Sequence, residues 1–256
     1  MEVEKEEAGK FEEANTKLKA VEALQELERG LPADGNTTID QNKDLANLVQ
    51  DIAKDLAKDP SLDLASVTKD DLRGLGIAPS TIDEIMALQD LFNDASSGVS
   101  LPVNNLLSKI DDLKDKLTAD ANEDIRDAEV LKTDDPIEHG LHGVDKLKKL
   151  RETLPSSGPL DDDQKYAVKV TVEEVIKELV GDPLFDPKSA TEDGVKAAYP
   201  NLDQKTVDGI MDLKKILDAV SDPKGEVDAE ALHRQLDDVV GSMLRDAIMK
   251  KSQREI

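Results

Sequence analysis

The stretch VEALQELERGLPADG, residues 21–35, returns 123 residues later as VDKLKKLRETLPSSG, residues 144–158. Val21, Leu24, Leu27, Leu31, Pro32 and Gly35 fall on Val144, Leu147, Leu150, Leu154, Pro155 and Gly158, all identical. The first apolar members step by three, as along one helix face, and then reach a shared Leu-Pro break. Unrelated leucine-rich helices share apolar spacing, but they have no reason to share Pro and Gly punctuation.

The same register continues downstream. Val49, Ile52 and Leu56 fall on Val172, Val175 and Leu179, and Asp59, Pro60, Asp63, Ser66, Thr68 and Asp70 recur as Asp182, Pro183, Asp186, Ser189, Thr191 and Asp193. After a two-residue insertion, Thr81, Asp83, Ile85, Met86 and Leu88 match Thr206, Asp208, Ile210, Met211 and Leu213. Near the end Leu106, Asp111 and Asp112 fall on Leu232, Asp237 and Asp238. A repeat of about 120 residues is far longer than solenoid periods of roughly 20–50, so each copy reads as a domain. The predicted fold is all-α: two tandem duplicated helical-bundle domains, residues 1–125 and 126–256, with a polar linker over about 118–143.

Each copy reads as four main helices plus one short helix. In the first, an apolar pattern over 11–27 ends at Gly30, Leu31 and Pro32, and a polar loop leads to a helix over 41–58 that Asp59 and Pro60 stop. Thr68 caps a short helix with Asp71 three residues on, and Pro79 opens the next, which buries Ile82, Ile85, Met86, Leu88 and Phe92. A last helix covers 104–117. The second copy follows the same plan, with Pro183 as stop and Thr191 as cap. Within the linker, residues 119–131 have few breakers and are expected to begin as helix.

Composition supports helices. With no Trp, three Phe and two Tyr, the core must be built from Leu, Ile, Val, Ala and Met. The net charge is −24, shared as −15 over residues 1–125 and −9 over 126–256, so no separate acidic tail accounts for it. Such a charge opposes nucleic acid and anionic membranes and favours a protein partner with a basic surface. No apolar run approaches the roughly 20 residues of a membrane span, and Met1–Lys10 lacks the pattern of a secretory signal. The chain reads as soluble, cytoplasmic or secreted without a visible signal. Having no cysteine, it uses neither disulfides nor thiolate ligands.

No catalytic, cofactor or metal residue is predicted. The loops at 33–40, 96–102, 156–163 and 221–230 resemble an EF-hand array in layout only. With Gly225 as sixth residue of a calcium loop, Val220 would be first and Ala231 twelfth; with Gly35, they would be Gly30 and Gln41. Neither register closes around calcium in the usual way. Glu138, His139 and His142 form E-H-x-x-H, the wrong spacing for a zinc protease, and Gly140 and Gly143 argue for a solvated turn. His233 reads as a surface histidine beside Glu230 and Arg234, with no cysteine nucleophile or G-x-S-x-G turn to join it. The pairs Asp70 with Asp71 and Asp111 with Asp112, and the run 161–163, are what 57 acidic residues produce by number alone. Lys250, Lys251 and Arg254 complement a terminal helix dipole, or belong to an amphipathic docking tail.

The functional expectation is a non-enzymatic interaction or scaffold protein made of two diverged acidic domains. The alternatives are a divalent-cation binder with degenerate helix-loop-helix units and an acidic mimic of nucleic acid. Oligomeric state and partner identity are left open by the sequence.

Overall fold

A computed structural model describes residues 2–33, 35–133 and 135–254. The remaining residues include Asp34, in one candidate ion loop; like the side chain of Arg254, in the basic tail, they lie outside the described residues. Among the described residues there are ten α-helices and no strand: α1 Glu2–Gly30, α2 Ile39–Ala57, α3 Lys69–Gly74, α4 Pro79–Ser96, α5 Val103–Leu131, α6 Pro136–Thr153, α7 Asp162–Val180, α8 Glu192–Ala198, α9 Gln204–Ser221 and α10 Ala229–Arg254. A 3-10 turn, Pro187–Ser189, precedes α8. None of the described helices is long and apolar enough to cross a membrane.

The chain divides into two compact units, residues 7–128 and residues 129–256 together with 1–6. In the first, α2 and α4 pack closely, and Leu24, Leu45, Val49, Leu72, Ile85, Leu88, Ile110 and Leu117 are buried in its aliphatic core. The second centres on Leu147, Val172, Val175, Val207, Ile210, Leu213, Leu232 and Leu236. Of the apolar residues predicted for α4, Ile82, Ile85 and Leu88 are buried, while Met86 and Phe92 are half-buried.

Local signals place the helices. Thr38 opens α2 through a reciprocal capping box with Gln41, and Asp161 opens α7 in the same way with Gln164. Lys58 and Gly181 close these two helices in the left-handed conformation, at φ 52° and 71°. Thr68 and Thr191 cap α3 and α8. In the N-terminal unit the Gly35 carbonyl, at φ 89°, accepts from Val103 N at 3.0 Å. In the C-terminal unit the Gly158 carbonyl, at φ 91°, accepts from Ala229 N at 2.8 Å. An isolated antiparallel bridge stands beside each, Asn36 with Pro102 and Pro159 with Asp228.

Three expectations need correction. The helix placed at 104–117 and the helical start expected over 119–131 are one unbroken helix that runs on to Leu131, because Ala121, Asp124 and Ala128 continue its buried face beyond Leu117. Residues 139–143 form helix rather than a solvated turn: Asp135 caps α6, Pro136 occupies its first turn, and His142 is buried. Gly143 belongs there because a Cβ at that position would stand 2.9 Å from Val175 Cγ1 and 3.1 Å from Met243 Cε. His233 is half-buried rather than on the surface, and its Nε2 donates to the Pro155 carbonyl at 2.9 Å.

Candidate functional sites

The N-terminal unit carries a charged interior. Lys17 on α1 is 4% exposed, and its ammonium lies 2.8 Å from Asp124 Oδ2 on α5. Lys10, two turns earlier, stands 3.7 Å from Asp124 Oδ1 and 3.6 Å from Asp127 Oδ2. Glu84 on α4 is 1% exposed, and no donor reaches either carboxyl oxygen. The Asp120 carboxyl on α5 faces it, and two acceptors of this kind bond only if one carries a proton.

Burial pushes the Glu84 carboxyl up to about 8, with Lys17 pulling down and Asp120 and Asp124 pushing further up. For Lys17, burial works against the charge, but Glu84, Asp124 and Asp120 outweigh it and hold the ammonium above its ordinary value. Burial also raises Asp124, against the pull of Lys17 and Lys10. The cluster can therefore store a proton and fix α1, α4 and α5 to one another.

In the C-terminal unit the two linker histidines face α7. His142 Nδ1 lies 3.0 Å from Glu178 Oε2, and Lys146 Nζ lies 2.7 Å from Glu178 Oε1. Burial raises Glu178, yet the His142 hydrogen bond and the Lys146 charge prevail and hold it below its ordinary value. His142 and Glu178 are ligand types a divalent metal accepts, but a cation there would compete with the Lys146 ammonium. His139 turns to the backbone, with Nδ1 2.8 Å from Glu178 O and Nε2 2.7 Å from Thr133 O.

A shallow cleft opens among α6, α7, α9 and α10, lined by Gly140, Leu179, Gly209, Met243, Asp246 and Lys250, among others. No atom lies within 4 Å of where a Gly140 Cβ would point. Lys250, read from sequence as a dipole partner, does more: its ammonium stands 2.5 Å from Asp246 Oδ2, 2.6 Å from Asp203 Oδ2 and 3.0 Å from Thr206 Oγ1. It ties the end of α10 to the start of α9.

Against protein-family models, curated proteins and solved structures, the chain matches none.

Three carboxylates in or beside the loops weighed for ion binding accept from backbone N–H groups. Asp161 Oδ1 accepts from Gln164 N at 2.8 Å, Asp222 Oδ1 from Lys224 N at 2.9 Å and Asp228 Oδ2 from Ala231 N at 3.0 Å. Of the sequential acid pairs, Asp71 closes the α3 capping box, Asp70 pairs with Arg73, and Asp111 lies 2.7 Å from Lys114. The sequence reading missed Lys17 and Glu84, although a signal was present. Lys17 falls on the stripe of Ala14, Val21 and Leu24, and Glu84 lies one turn before Leu88, all four of them buried.

Proposed function

We propose that the chain is a non-enzymatic binding protein, built from two diverged copies of one acidic helical unit, that engages a partner with a basic surface. One observation carries this reading. Asp40, Asp44, Asp51 and Asp55 are all exposed on α2, and their spacing puts them within about 60° of its circumference, over roughly 22 Å. Asp40 pairs with Lys43 at 3.7 Å. A line of carboxylates of one sign repels its own chain and attracts cationic groups in solution.

The duplication draws support from the turn-for-turn agreement inside the two units. At the offset of 123, Thr38 corresponds to Asp161, Lys58 to Gly181 and Gly35 to Gly158, and each pair does the same job. Asn42 and Lys165 also correspond: Asn42 Nδ2 donates to Val99 O at 2.7 Å, and Lys165 Nζ to Gly225 O at 2.9 Å. The polar interiors differ. Lys17 and Glu84 correspond to Gly140 and Gly209, while Asp120 corresponds to Asp246. A retained frame with altered polar positions is what divergence of binding properties from one ancestor would leave.

The test is capture from candidate host lysates with the full chain and with an Asp44→Asn, Asp51→Asn, Asp55→Asn variant. The expected result is a basic protein retained by the wild type, released by moderate salt and lost from the variant. Equal capture by both, or capture indifferent to salt, would count against this surface.

A further inference from the structure

We propose that Glu84 keeps its proton and donates it to Asp120, and that this proton locks the N-terminal unit: it joins α4 to α5 while Lys17 stays committed to Asp124. The inference stands on geometry and does not rest on the binding function or the duplication.

Glu84 is fully enclosed, neither of its oxygens meets a donor within hydrogen-bond distance, and the charged groups acting on it are the Lys17 ammonium and the Asp120 and Asp124 carboxyls. A buried carboxylate without a donor is far from a stable arrangement, because the lost hydration is not replaced. A proton removes the charge and turns one oxygen into a donor for Asp120. The surroundings leave few alternatives. From α1 comes Lys17, already 2.8 Å from Asp124, with Lys10 beyond it. From α5 come Asp120 and Asp124, both acidic. The buried residues of α2 are apolar apart from Asn42, which is engaged with Thr37 and Val99, and α3 buries only Leu72.

The sign follows. With a folded value of about 8 against an ordinary 4.5, Glu84 holds its proton in the folded unit at pH values where the unfolded chain has lost it. Its stabilising contribution is complete below pH 4.5, declines as pH rises, and is spent once pH passes about 8. Loss of the proton sets Glu84 against Asp120 and makes it a rival of Asp124 for Lys17.

The experiment is thermal unfolding of the full chain from pH 6 to 9.5, for wild type, Glu84→Gln and Asp120→Asn, with carboxyl carbon NMR of the wild type. Each substitution supplies an amide donor in place of the Glu84 proton. Wild type should lose thermal stability up to about pH 8 and then level off, while either variant should be flatter and more stable than wild type at pH 9. One carboxyl signal, absent from Glu84→Gln, should titrate near 8. Parallel pH profiles for all three proteins, or a Glu84 signal titrating near 4.5, would overturn the proposal. Should one variant fail to fold, the other and the wild-type NMR titration still decide it.

Discussion

Lys17 and Asp124 lie 107 positions apart in sequence, yet the ammonium and carboxylate meet at 2.8 Å inside the N-terminal unit. The pair ties α1 to α5 where an aliphatic contact would be the ordinary choice. Removing one partner leaves the other charged and enclosed, which costs about 3–5 kcal/mol, whereas replacing both with apolar residues of similar volume is near neutral. Lys17→Met and Asp124→Leu should each lower the unfolding midpoint in urea, and the double variant should recover most of the loss. An additive double variant would show that the two residues are not coupled.

Leu24 and Leu147 are both 0% exposed, one in each unit. Truncating either to alanine should cost about 2–5 kcal/mol. Hydrogen exchange should show each loss confined to amides of its own unit. Loss of protection spread evenly over both units would mean that they unfold as one.

Two glycines of α6, one turn apart, should respond oppositely. Alanine at Gly143 would place a methyl 2.9 Å from Val175 Cγ1, an overpacking that costs about 1–3 kcal/mol. Alanine at Gly140 meets nothing within 4 Å and gains up to about 1 kcal/mol of helix propensity. Calorimetric midpoints of the two variants should move in opposite directions.

Acid should loosen the C-terminal unit through Glu178. Its folded value lies below the ordinary 4.5 despite burial, so its contribution is present above pH 4.5 and is lost as pH falls through the folded value. Glu178→Gln should destabilise the unit at neutral pH and weaken the acid dependence. Circular dichroism melts from pH 7 down to 3 would reveal it, and an unchanged acid limb in the variant would reject the assignment.

The helix starts and stops were legible because capping and proline chemistry is local. Thr68, Pro79, Pro183 and Thr191 announce helix boundaries from their own neighbourhoods. What escaped depends on partners remote in sequence. Beyond Leu117, α5 presents Thr118, Asp120 and Asp124, polar residues that read as linker until the aspartates are seen to face Lys17 and Glu84. Gly140 and Gly143 read as helix breakers, and the packing of α6 on Val175 and Met243 overrides that local preference. His142 looked solvated because Glu178, its carboxylate partner, lies on another helix 36 positions later.

We propose that the chain repeats one helical plan, each copy folding by itself. This is tested most directly by making residues 7–128 and 129–256 as separate fragments and following each by circular dichroism during heating. Two helical spectra, each lost in its own cooperative transition, are the expected result. A fragment with the spectrum of an unfolded chain, or one that melts without cooperativity, would contradict it.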